Sequence, residues 1–301
     1  MKTIAIMVKR NAKLFFKDKG FFFTSLITPA ILLVLYTTFL SNVYTSSLKS
    51  ALPDGFELAD KLVNGFAGAQ LISSILAVSC VTVSFCSNML MVQDKATGTI
   101  KDLNVSPLRP SVMSISYYVA TLVSTLIVCI SATALCLVYV AATGWFLSFA
   151  DVVLLLCDVL MLCLFGVALS SVVNFFLSSQ GQISAVGTIV SSGYGFICGA
   201  YMPMSQFPEG LRKAIMFLPG TYGTALIRNH SMDGVLRGME KENLPDSFIV
   251  GIRDSFDCNI YFFDKKVEVG TMYAIICGTI AVLIAAYIAM NVIRSKKTSK
   301  R

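Results

Sequence analysis

Apolar positions gather into six long runs, at about 21–43, 67–92, 111–142, 150–176, 183–203 and 269–293, separated by polar stretches. Each run is long enough to cross a bilayer as a helix if it is tilted or trimmed at its ends. Unbroken runs lack the short alternating pattern of an outer-membrane barrel, and backbone in lipid must satisfy its own hydrogen bonds, so helices are predicted. The expected fold is an all-α membrane protein with six transmembrane helices. The first run follows a basic region of nearly twenty residues and, from Phe21 to Leu40, is too long for a signal-peptide core, so it is read as a retained span.

Two further elements follow from the pattern. Within residues 1–20, Ile4, Met7, Val8, Leu14 and Phe15 share one helical face, while Lys2, Lys9, Arg10, Lys13 and Lys17 lie opposite. This predicts an amphipathic helix lying on the membrane surface, either as a basic anchor or as a docking face. In the long segment 204–268, Pro203 and Pro208 bracket a break, Glu209 to Phe217 forms a short helix, and a second short helix runs from Thr221 to about Asn229. The apolar Ile215, Met216, Phe217 and Leu218 predict that this pair re-enters the membrane between spans five and six. The chain is therefore divided into an interfacial helix, 1–20, and a single transmembrane domain, 21–301.

Composition narrows the class. The chain is 55% apolar and 14% charged, whereas soluble globular chains are about 25% charged; a soluble enzyme, a disulfide scaffold and a disordered chain are excluded. An even number of spans puts both termini on one side. Residues 1–20, 93–110 and 294–301 carry 14 basic and three acidic residues, and the segments 44–66 and 204–268 carry ten and twelve. That asymmetry marks both termini and the loop 93–110 as cytoplasmic. The net charge of +7 thus flanks membrane spans and suits anionic lipid rather than nucleic acid. Eight of nine cysteines fall within spans, leaving Cys258 outside, and no spacing suggests a metal site.

Gly98-Thr99 within the loop 93–110 reads as a helix stop and restart, and Ser106-Pro107 closes the element, so a short exposed helix is predicted, suited to a groove on another protein. The stretch Asp94–Arg109 resembles the inner-loop motif of ABC-2 type permeases: an acidic residue, then Gly-Thr, then Ser/Thr-Pro-Leu. A second match runs through Gly199-Ala200-Tyr201-Met202-Pro203, Phe207-Pro208-Glu209-Gly210-Leu211, Leu218-Pro219-Gly220-Thr221-Tyr222 and Leu226-Ile227-Arg228. It is similar to that family's fifth span and outer re-entrant helices, with Pro203, Pro208, Pro219, Tyr222 and Arg228 as the signature.

The resemblance implies a permease subunit that is not itself an enzyme. It would dimerise with itself or a second permease and couple to separate cytoplasmic ATPase subunits, which would hold ATP and Mg. The substrate would be hydrophobic or amphipathic, a drug, lipid, peptide or glycan, exported across a bacterial plasma membrane. No phosphate-binding Gly-x-x-x-x-Gly-Lys-Ser/Thr motif occurs in the chain, so no cofactor is expected on it. The residues expected to make the ATPase contact are Asp94, Lys95, Gly98, Thr99, Lys101, Asp102, Ser106 and Pro107, with Lys9, Arg10 and Lys13. The alternative is an ATP-independent carrier or channel.

Asp151 and Asp158 lie seven residues apart on one face of the fourth span. Asp151 is expected at the outer interface. For the deeper Asp158, a substrate or proton role and a hydrogen-bonded structural role both stay open. Gly195 and Gly199 give a small-xxx-small spacing that serves packing within the chain or, as the family resemblance implies, a dimer seam or substrate path shared with Phe22 and Tyr36 of the first span. His230, the single histidine, is expected alone at an outer helix end.

Overall fold

The computed structural model describes residues 2–52, 58–105, 110–242, 244–263 and 265–298. Its helices are α1 (Lys2–Lys17), α2 (Lys19–Leu35), α3 (Ser41–Ala51), α4 (Asp60–Ala96), α5 (Thr99–Val105), α6 (Pro110–Thr143), α7 (Phe149–Phe176), α8 (Gln180–Ile197), α9 (Glu209–Ile215), α10 (Pro219–Lys241), α11 (Asp246–Ser255) and α12 (Val269–Thr298). A π-helical stretch, Tyr36–Leu40, joins α2 to α3, and strands β1 (Ile260–Phe262) and β2 (Lys265–Val267) form an antiparallel hairpin with Tyr261 opposite Lys266.

The chain is all-α in class and 85% helical. Among the described residues, five helices are long and apolar enough to cross a membrane: Phe22–Ser50, Asp60–Ala96, Ser111–Thr143, Phe149–Phe176 and Val269–Ile293. The fifth apolar run of the sequence folds as α8, which spans 18 residues and about 27 Å. Gln180, Gln182, Ser184, Ser191 and Ser192 interrupt its apolar sequence.

The bundle is organised around α4, which packs against α2, α6, α7, α8 and α10. Its membrane-length stretch is buried on every side. A helix apolar all round belongs in a core, and the small residues Ala67, Ala69, Ser73, Ala77 and Ser84 let neighbours approach closely. The crossing with α7 is close: a Cβ at Gly166 would stand 2.9 Å from the Cys80 carbonyl oxygen and 2.8 Å from the Ser84 hydroxyl.

The 204–268 segment departs from the expected pair of short helices. α9 forms between Pro208 and Ile215, but α10 continues to Lys241 instead of stopping near Asn229. Pro219 occupies its first turn, where its missing N–H costs nothing. The polar Asn229, His230 and Ser231, which read as a helix end, are buried as α10 wedges between α4, α7 and α12. Each of the three is hydrogen-bonded, so the helix continues through them.

Candidate functional site

Side chains predicted for the loop contact meet at the end of the bundle that carries α1. The buried residues of α1 are Met7, Asn11 and Phe15, a stripe at four-residue spacing that lies against α6. Beside that stripe Arg10 turns inward: its Nη1 donates to Asp94 Oδ2 at 3.0 Å and to Asn11 Oδ1 at 2.8 Å. The Tyr117 hydroxyl of α6 donates to the same Asp94 oxygen at 2.5 Å. Burial works against the Arg10 charge, yet the adjacent Asp94 carboxylate holds the guanidinium above its ordinary value. One carboxylate thus ties α1 to α4 and α6.

That geometry changes what Asp94 and Lys95 can do. The Asp94 side chain is 8% exposed, so it is not a surface for a partner to grip. Lys95 is drawn to the end of α7, where its ammonium donates to the carbonyls of Asn174 and Phe175 at 3.0 Å and of Leu177 at 3.2 Å. It caps the C-terminal carbonyls of a helix, where positive charge is favoured. Gly98 has a φ of +84° and follows the last turn of α4. A side chain there would be strained, and the reversal it makes sends the chain into α5. The Thr99 hydroxyl lies 3.0 Å from that of Thr97, and Asp102 and Val105 of α5 are exposed, as are Lys9 and Lys13 of α1. Lys101 lies on α5. Ser106 and Pro107 fall outside the described residues.

A second polar cluster joins α7, α10 and α12. Asp158 is enclosed: one oxygen lies 2.5 Å from His230 Nδ1, and the other accepts from the Tyr273 hydroxyl. The expectation of a solitary His230 is overturned, because the extended α10 carries it mid-helix to face α7. Asp151 is also more than an interface residue. It completes a capping box with Ser148 at the start of α7 and pairs with Arg237 of α10.

The third cluster fixes the 204–268 segment. Arg228 is fully buried; its Nη2 donates to the Gly199 carbonyl at 2.8 Å and its Nη1 contacts Asp257 Oδ2 at 3.2 Å. The Met204 amide donates to the same Asp257 oxygen at 2.7 Å. Burial pushes the Asp257 carboxyl up, against the opposing pull of Arg228. Pro203 and Pro208 flank the short turn through Met204, and the Tyr222 hydroxyl donates to the Met216 carbonyl at 2.7 Å, closing the α9–α10 corner around Pro219. The signature residues Pro203, Pro208, Pro219, Tyr222 and Arg228 thus all surround one corner.

The proposed seam residues are already engaged within the chain. The Tyr36 hydroxyl donates to the Ala67 carbonyl, and Phe22 packs with Phe15 and Phe16. Gly195 is covered by the ring of Tyr201. What α2 leaves exposed is a different set, including Phe23, Ile27, Ile31 and Val34. Tyr117, His230, Tyr273 and Asp257 carry the clusters and were missed by sequence reading. For Tyr117 and Tyr273 the available signal was a hydroxyl within an apolar run, which needs a partner when buried.

A family model described as ABC-2 type transporter matches residues 2–230, more than half of the chain. No curated protein matches it.

Proposed function

Because the chain belongs to the ABC-2 type transporter family and is a multi-pass membrane permease component rather than a catalyst, we propose that it is an export gate moved by force from other subunits. In this reading α8 is the fifth of six spans and α9 with the start of α10 is a re-entrant pair. Both termini and α5 are cytoplasmic, in the plasma membrane of a bacterium. Two permeases dimerise and engage cytoplasmic ATPase subunits that hold ATP and Mg, and a hydrophobic or amphipathic substrate moves outward.

The observation that carries this is the Arg10–Asp94–Tyr117 joint. An ATPase can drive transport only if its movement favours one state of the spans over another. Exposed α5 and the exposed lysines of α1 offer the grip; Asp94 delivers displacement of either element to α4 and α6. Asp94 and Arg10 are therefore transmission residues, and Lys9, Lys13, Thr99, Lys101 and Asp102 the contact.

The test is ATP-dependent export from vesicles holding the chain with the ATPase that co-purifies with it. Asp94→Asn and Arg10→Gln should each lower transport while ATP hydrolysis continues, and the exchanged pair Arg10→Asp with Asp94→Arg should recover part of it. Unchanged export in both single variants would remove the joint from the mechanism. Uphill pumping by the purified chain alone, without nucleotide, would overturn the whole reading.

A proton-driven carrier is the second reading, favoured by the enclosed Asp158–His230–Tyr273 cluster. It requires that Asp158→Asn abolish transport, whereas an ATP-driven gate tolerates that change.

A further inference from the structure

Cys80 of α4, Cys129 of α6 and Cys163 of α7 hold their sulfur atoms within 4.8 Å of one another. All three are buried and none is in a disulfide. The convergence depends on the α4–α7 crossing, because Gly166, one turn beyond Cys163, is what lets α7 approach Cys80. A metal–thiolate bond is about 2.3 Å long, so three sulfurs around one ion in a plane stand about 4.0 Å apart. Contraction by less than an ångström would bring these three to that spacing.

Two buried hydroxyls on the surrounding helices have no hydrogen-bond partner. The Thr125 hydroxyl is buried without a partner one turn before Cys129, on the same face of α6. The Tyr194 hydroxyl is likewise buried and unpartnered, within electrostatic range of Cys80 and Cys198. A neutral thiol is a weak acceptor, whereas a thiolate accepts readily, so metal binding would favour a shift of either hydroxyl toward the sulfurs.

We propose that Cys80, Cys129 and Cys163 form a binding site for a soft monovalent cation of the Cu(I) or Ag(I) class. Ligand chemistry selects it: Mg and Ca take oxygen donors, and structural Zn takes four ligands where three thiols stand. Charge selects it as well. One thiol gives its proton to solvent as its sulfur bonds the cation, and the other two bind as neutral donors. A monovalent ion replaces one proton, and the membrane interior gains no net charge. Binding links three helices through one ion and does not depend on how transport is powered.

The experiment uses the full chain, purified without oxygen in detergent, with the two exposed thiols removed as Cys157→Ser and Cys277→Ser. Ag(I) is titrated against a competing chelator. One equivalent should bind with release of one proton. Cys80→Ser, Cys129→Ser and Cys163→Ser should each weaken binding by more than ~100-fold, beyond the usual effect of groups that only support a ligand. Tyr194→Phe should weaken it about 10-fold, and Cys136→Ser, a buried thiol elsewhere on α6, should change nothing. If the serine variants do not fold, X-ray absorption of the Cu(I)-loaded parent gives the answer: three sulfur neighbours at about 2.3 Å are expected. Fewer than three sulfurs, no binding, or equal weakening by Cys136→Ser and Cys129→Ser would overturn the site.

Discussion

Replacing Asp158 separates two kinds of buried carboxylate. Its side chain has no exposed surface, and its oxygens serve two partners, His230 Nδ1 at 2.5 Å and the Tyr273 hydroxyl. Asp158→Ala leaves the buried His230 and the half-buried Tyr273 unpaired, at about 1–3 kcal/mol for the imidazole and about 1 kcal/mol for the hydroxyl, or about 2–4 kcal/mol in all. Asp158→Asn keeps the geometry. Its amide oxygen accepts from Tyr273, and its amide N–H donates to Nδ1 of a neutral imidazole, so the loss should be only about 1 kcal/mol. A gap of about 1–3 kcal/mol between the two variants is therefore expected if hydrogen bonding is what Asp158 provides. Reversible unfolding in mixed micelles, followed by the fluorescence of the single tryptophan, Trp145, measures it. Equal damage from Ala and Asn would refute the reasoning, since the charge and not the hydrogen bonds would then be holding the three helices.

Lys95→Met should cost about 1–2 kcal/mol, because the half-buried ammonium serves three carbonyls at the end of α7. Faster amide exchange in the turn between α7 and α8, with α12 unchanged, would mark the loss as local. Gly166→Leu should destabilise by about 1–3 kcal/mol or more, since even a Cβ meets the Cys80 carbonyl. Normal thermal stability in that variant would show that α4 and α7 separate freely. Arg228→Met should make stability more sensitive to pH. With the Asp257 carboxyl raised by burial, the folded state binds its proton more tightly than the unfolded chain does, so this group's contribution falls as pH rises from the ordinary carboxylate range to the folded value. Removing Arg228 raises that folded value further and extends the fall to higher pH. A pH–stability curve parallel to that of the parent would contradict this.

Long apolar runs revealed five helices long and apolar enough to cross a membrane, because their signal is local and repeated, and the Pro-bounded α9 was legible for the same reason. Partner choice was not. Arg10 and Asp94 are 84 residues apart, and Asp158 and His230 are 72 apart; nothing in either segment states which helix will face which. The length of α10 was hidden by its own polarity. Asn229, His230 and Ser231 look like a helix end until α4, α7 and α12 enclose them. Lys95 looked like a contact for a partner because the sequence cannot show that the carbonyl end of α7 lies beside it.

The three clusters share a placement that bears on how the bundle can move. Apolar helices in lipid gain little from one register over another, because the surrounding chains are as apolar as their neighbours. A polar contact does fix register, since breaking it strands a buried group. Arg10 and Tyr117 fix α1 and α6 to α4; His230 and Tyr273 fix α10 and α12 to α7; Arg228 and Asp257 fix α10 to the turn after α8. The crossing of α4 and α7 has its own polar tie, the Asn88 amide donating to Ser170 and Ser171 at 3.0 Å. Force applied to α1 or α5 therefore reaches a block of linked helices, with α4 at its centre. Among the described residues, the exposed apolar face of α2, with Phe23, Ile27 and Ile31, carries no such tie on its outer side. It is where that block can slide against its surroundings without stranding a polar group.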